Sequence, residues 1–169
     1  RRLTYLLLGV FTVAFVALFF WLNQVTSNLA VNSIKDQMLA LVETSVCFIN
    51  GDEFGAFVEY FPEATSAVYE DYYYSTLEFF MNDVKATNEN IDVEIVLYTI
   101  TKGSKADEYL LVNSTEEAEN VAYKTVVPAH FANAPQIAGM KKTVADTTIH
   151  EDEYGTWISA CSPIINAKG

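Results

Sequence analysis

Residues 3–22 read LTYLLLGVFTVAFVALFFWL, twenty consecutive positions without a charge. A helix of about 20 apolar residues matches the ~30 Å thickness of a bilayer's hydrocarbon core. In a water-soluble fold the same cylinder would need apolar partners on every side, more cover than the rest of the chain can supply. The rival reading is a cleaved signal peptide, whose apolar region usually runs about 7–15 residues and ends in small side chains. This run is longer and continues into Trp21, Leu22, Asn23 and Gln24. Arg1 and Arg2 precede it and no acid does, an asymmetry that puts the N-terminus on the cytoplasmic side and the bulk of the chain outside. The expected layout is a transmembrane helix with a short cytoplasmic flank over residues 1–24, a membrane-proximal stalk helix over 25–50, and an extracytoplasmic domain over 51–169.

Charge narrows what that outer domain can meet. The chain has 10 Lys and Arg against 22 Asp and Glu, a net charge of -12. Every acid and all but the two N-terminal arginines lie beyond the apolar run, so the exported part is more acidic still. A polyanion would be repelled, which excludes a nucleic-acid partner. With 51% apolar and 14% aromatic residues the chain can build a packed core. Two cysteines and two histidines leave little for zinc or for a histidine-based triad. Ser159, Ser162 and His130 lack a nucleophile elbow, so no catalytic residue is assigned. The run His150-Glu151-Asp152-Glu153 fits no metal-loop spacing and reads as a solvated loop, so neither metal nor cofactor is assigned. Cys47 and Cys161 either pair in an oxidising compartment or remain two buried thiols.

Beyond the membrane, residues 23–49 contain neither Gly nor Pro. Ile34, Met38, Leu41 and Phe48 form one apolar seam, with Ser45 at the missing step, and Leu39, Val42, Val46 and Ile49 form a second beside it. Such a rod can pair with a second copy along one seam, or bury both against its own domain. It is expected to end at Asn50-Gly51, with Asp52 capping a short helical turn that follows. Past Pro62, residues 65–86 predict a single amphipathic helix with Tyr69, Tyr73, Leu77, Phe80 and Val84 on one face. Residues 91–101 (IDVEIVLYTIT) alternate as a strand, 102–107 as its turn, and 108–113 as the returning strand of a hairpin. Asn113-Ser114-Thr115 is formally a glycosylation sequon. A short helix is expected within 129–140, and a last strand over 154–165 puts Trp157, Ser159 and Cys161 on one face. The absence of an initiator Met, and a closing turn at 166–169 with no strand after it, suggest a segment of something longer.

Together these features resemble a family. The apolar helix, the stalk ending in FINGDEF, the LYT strand and the run EDEYGTWISACSPIINAKG are similar to Cache-type, PAS-like extracellular sensor domains of bacterial membrane receptors. Asp152, Gly155, Thr156, Trp157, Ser159, Pro163, Ile164 and Gly169 carry the closest match. The resemblance implies an α+β fold, a PAS-like antiparallel sheet flanked by helices and truncated before its last strand. It also implies a small-molecule ligand, a homodimer joined through the stalk, and a cyclase, kinase, phosphodiesterase or chemoreceptor output outside this chain. Asn113 stands where many relatives carry Asp, and no Arg follows Arg2, which disfavours a carboxylate ligand. A pocket of this kind would draw on Tyr72, Tyr73, Tyr98, Asn113, Tyr154, Trp157 and Ser159, suited to a neutral, cationic or aromatic ligand. Two alternatives remain at this stage. One is a pilin-like structural subunit with an acidic head, although pilins carry an early glutamate that is missing here. The other is a membrane-anchored interaction module without a small ligand.

Overall fold

The computed structural model describes residues 2–89, 94–105, 108–115, 122–127, 134–146, 148–152 and 155–167. It is an α+β chain built on one long helix, α1 (Arg2–Val46), of 45 residues. At 1.5 Å per residue this rod is about 70 Å long. It runs unbroken from the apolar segment into the stalk, as the absence of Gly and Pro after residue 22 leads one to expect. Its apolar window is long enough to cross a membrane, and none of it is buried against the rest of the chain. A core helix of a soluble fold would instead be covered.

Cover begins at Val31 and recurs at Ile34, Met38, Leu39, Leu41, Val42, Ser45 and Val46, all half-buried. The two seams are therefore edges of one broad stripe, and that stripe packs on two strands of the chain's own head, β3 (Val144–Ala145) and β6 (Ala160–Cys161). The opposite face, with Asn32, Asp36, Gln37, Glu43 and Thr44, is exposed and polar. The last turn tightens to i→i+3 bonds, Phe48 N–H donating to the Ser45 carbonyl at 3.1 Å and Ile49 N–H to that of Val46 at 3.2 Å.

Asn50 corrects the expected helix end, because it opens α2 (Gly51–Tyr60) instead of closing α1. Its side-chain oxygen accepts from the Asp52 and Glu53 N–H groups at 3.0 and 3.4 Å. Asn is a preferred N-cap, and the two acids of the first turn suit the positive end of the helix. Asp52, expected to be the cap, instead accepts from Ala167 N–H at 3.0 Å. The single helix expected over 65–86 divides into α3 (Ser66–Tyr69) and α4 (Tyr72–Asn88). Asp71 makes the division, its carboxylate accepting from Tyr73 N–H at 2.8 Å and Tyr74 N–H at 3.3 Å. The new start rotates the buried face of α4 to Tyr74, Leu77 and Met81, leaving Tyr73, Phe80 and Val84 at its flank.

The expected hairpin is present as β1 (Tyr98–Lys102) and β2 (Tyr109–Ser114), antiparallel, but its first strand starts only at Tyr98: 94–97 precede it without strand structure, and 91–93 lie outside the described residues. The register shifts between Thr99, opposite Asn113, and Ile100, opposite Leu111, so Val112 is the extra residue of a bulge. Residues 124–127 run along the other side of β2, with Leu111 N–H donating to the Thr125 carbonyl and Val127 N–H to that of Tyr109. α4 packs on β2, and the core gathers there: Phe54, Phe57, Val68, Tyr74, Leu77, Met81, Val112 and Tyr123.

Helix α5 (Ala134–Gly139) lies on β3 and β6. The predicted strand over 154–165 is two pieces, β5 (Gly155–Trp157), paired with β4 (His150–Asp152), and β6, paired with β3. Asp146 explains the interruption. Its N–H donates to the Ser159 carbonyl at 2.8 Å, and its carboxylate accepts from Ser159 N–H at 3.1 Å. One side chain thus replaces a rung of the ladder between the pairs Ala145–Ala160 and His150–Trp157. Among the described residues the strands form three two-stranded antiparallel sheets.

Candidate functional site

The seven residues singled out from the sequence fall into separate places. Tyr72, first in α4, is 85% exposed and lines nothing. Tyr154 lies outside the described residues. Trp157, half-buried on β5 opposite His150, and Ser159 belong to the hairpin of residues 144–161. Ser159 acts there through its backbone, as the partner of Asp146. The Asp146 carboxylate also meets His150 Nε2 at 3.3 Å. That buried acid is fully engaged in holding the hairpin together.

The other group sits on the hairpin beneath α4. Tyr98, half-buried, opens β1 opposite Ser114, and Asn113 stands opposite Thr99. Asn113 is 2% exposed and Thr99 8%. Neither the Asn113 carboxamide oxygen, nor its nitrogen, nor the Thr99 hydroxyl has a hydrogen-bond partner among the described residues, and the same holds for the buried Tyr73 hydroxyl. Tyr73 joins the same core, its ring 5.4 Å from that of Phe57. Leaving a buried polar group unpaired costs about 1–3 kcal/mol. Three of these four atoms belong to one cross-strand pair, Asn113 and Thr99, so the cost falls mainly on a single place in the hairpin. Burial of Asn113 also removes the sequon: in the folded chain no glycan can reach that nitrogen.

Burial sets the acid–base character of the region. It pushes the Tyr73 hydroxyl up to about 12, with the nearby Glu53 charge adding to the effect. Tyr74 is raised to about 12 by burial and then by Glu78 and Tyr69, and Tyr123 to about 12 by burial alone. All three are neutral hydroxyls at any physiological pH. Tyr123 is also a strut, its hydroxyl donating to the Phe61 carbonyl at 2.7 Å and its N–H to the Tyr69 hydroxyl oxygen at 3.2 Å.

The chain matches no family model, no curated protein and no solved structure.

Among the described residues no group of three His, Cys, Asp or Glu side chains is placed to hold a metal. Both cysteines are free thiols, Cys47 exposed on the stalk end and Cys161 half-buried. Burial, followed by the Asp146 charge, raises the Cys161 thiol to about 11, so it is a poor nucleophile. The chemistry on offer at Asn113 and Thr99 is recognition: a carboxamide with two N–H donors and an acceptor oxygen, and hydroxyls that can act as either. Thr99 and Asp146 were missed by sequence reasoning. Thr99 was visible as the fourth member of the alternating face Val93, Ile95, Leu97, Thr99, a polar side chain at a core position. Asp146 carried no comparable signal.

Proposed function

We propose that the chain is the membrane-anchored, ligand-sensing part of a signal-transduction receptor, in line with its resemblance to Cache-type, PAS-like sensor domains. It sits in the cell membrane through residues 3–22, with residues 25–169 extracytoplasmic, and its output module lies outside this chain. The observation that carries this reading is the buried, unpaired polar pair of Asn113 and Thr99 in a head fastened to a membrane-length rod. Asn113 lies in β2, on which α4 packs, and the α4 ring of Phe80 lies 5.9 Å from that of Phe48, just past the end of α1. The head also grips α1 through β3 and β6. A ligand that prefers one packing of α4 on the hairpin therefore biases the seating of the rod, and the rod carries that bias toward the bilayer. A homodimer gives the movement a reference. Because the head covers the stalk stripes, the copies meet along the bare first part of α1.

The test is thermal-shift screening of the full chain in nanodiscs against amides, amines, sugars, nucleobases and metal ions. A melting temperature that rises with the concentration of one compound class supports sensing. A folded chain that answers no compound overturns it.

A further inference from the structure

We propose that Asn113 and Thr99 form a binding site for a small uncharged molecule that presents a hydrogen-bond donor and acceptor side by side, a carboxamide being the simplest case. This deepens the ligand-sensing reading and rests on it.

The geometry selects the class in three steps. First, the site is polar and buried. Asn113 and Thr99 are direct cross-strand partners, which puts their side chains on one face of the hairpin with Cβ atoms about 5 Å apart. The bulge at Val112 sends that residue into the apolar core and re-aims Asn113 beside it. An apolar ligand would leave the three polar atoms of this pair as unpaired as they are within the chain.

Second, the site has no countercharge. No Arg follows Arg2, Lys85 near the C-terminal end of α4 pairs with Glu89 at 4.0 Å, and Lys124, half-buried on the segment beside β2, lies over the Tyr123 ring, 5.4 Å from its centroid. An anion would be stripped of water with no cation to meet it. The buried carboxylate of the head, Asp146, is committed to Ser159 and His150 on the other hairpin. Glu53 acts on Tyr73 and is itself exposed to solvent, so an ammonium buried at Asn113 and Thr99 would also lack a buried partner.

Third, the donors and acceptors match an amide edge. The Asn113 nitrogen can donate to a ligand carbonyl while its oxygen accepts from the ligand N–H, closing a planar two-bond pair. The Thr99 hydroxyl can give or take a further bond. A nucleobase edge offers the same pairing, whereas a carboxylate or an ammonium offers only one half of it.

The experiment measures the melting temperature of the full chain in nanodiscs with acetamide, acetate or methylammonium, each titrated to about 100 mM because ligands this small bind weakly. The parent is compared with Thr99→Val, Asn113→Leu and Asn113→Asp. The expected result is a concentration-dependent rise with acetamide and none with the two ions. Thr99→Val should weaken the apparent affinity for acetamide by about tenfold. Asn113→Asp should lose the acetamide response and gain one to methylammonium, a reversal that keeps the test decisive where Asn113→Leu fails to fold. A parent that responds to acetate or methylammonium but not acetamide overturns the ligand class and leaves sensing intact. So does a parent that ignores all three but responds to another compound in the wider screen. An acetamide response unchanged in Thr99→Val and Asn113→Asp overturns the location. No response to any compound overturns both the class and the sensing reading.

Discussion

Replacing Phe57 by alanine removes the ring around which the head is packed. Four aromatic centroids surround it, Phe61 at 5.1 Å, Tyr73 at 5.4 Å, Tyr123 at 5.7 Å and Tyr74 at 6.1 Å, and Phe57 itself is 6% exposed. Those neighbours come from the end cap of α2, from α4 and from the segment beside β2, so the cavity left behind cannot close by moving a single element. A buried Phe→Ala change typically costs about 3–5 kcal/mol, and the lost aromatic pairs place this site toward the top of that range. For a domain of this size each kcal/mol lowers the melting temperature by roughly 3–5 °C, which for about 4–5 kcal/mol gives a fall of about 12–25 °C. The measurement is thermal unfolding of the full chain in detergent, followed by near-ultraviolet circular dichroism, since the signal comes from the same rings. Phe79→Ala is the control: it lies on α4 but is 75% exposed and should change stability by no more than about 0.5 kcal/mol. A Phe57→Ala variant melting within 3–4 °C of the parent, or no lower than Phe79→Ala, would show that the aromatic cluster is not the core.

Four further outcomes follow from particular contacts. Gly51→Ala places a Cβ against the Ile165 carbonyl and 2.8 Å from Asn166 N, and should cost about 1–3 kcal/mol in a chemical denaturation curve; a neutral result would mean that residues 164–166 do not lie on α2. Leu41→Asp puts a charge on the stripe of α1 that the head covers and should lower the melting temperature by several degrees; an unshifted melt with a loss of self-association in sedimentation would return that stripe to a dimer interface. Raising the pH should destabilise the fold between about 10 and 12: the unfolded tyrosines ionise near 10 while Tyr73, Tyr74 and Tyr123 hold their protons to about 12, so the unfolded state loses protons first and stability falls across that window. A melting temperature flat from pH 10 to 12 would contradict their burial. Iodoacetamide at pH 8 should label the exposed Cys47 well before Cys161, whose raised thiol is almost wholly protonated there; equal rates by peptide mass spectrometry would contradict the packing of α5 on β6.

The elements legible in the sequence were those that one local rule decides. A charge-free run of twenty residues, and a stalk without Gly or Pro, can only be helix. The strict alternation through Leu97, Tyr98 and Thr99, with a polar turn after Lys102, can only be a hairpin. Errors came where one residue suits two roles. Asn50 is acceptable just past a helix and better at the start of one, and which role it takes depends on how α2 packs, not on its neighbours in sequence. Asp71 interrupts a tyrosine-rich pattern whose spacing stays helical on both sides, so periodicity alone joins α3 to α4. The split of 154–165 depends on Asp146, a residue distant in sequence that substitutes its carboxylate for a backbone partner. The candidate site shows the same limit. Asn113 was visible as a polar residue ending a strand, whereas its pairing with Thr99 is a matter of register, which the bulge at Val112 decides. Tyr72 was chosen by type, and the helix start at Asp71 turns it to solvent.

Asn113, as the contact point of a bound small molecule, can report binding through its own side chain. The full chain, labelled with 15N at asparagine and held in nanodiscs, gives a side-chain NH2 signal for Asn113 that the Asn113→Asp variant identifies by its loss. A compound that raises the melting temperature should move this signal in proportion to occupancy, with Asn32, exposed on the stalk, unmoved. A stabilising compound that saturates the protein and leaves the Asn113 NH2 signal in place would contradict the account.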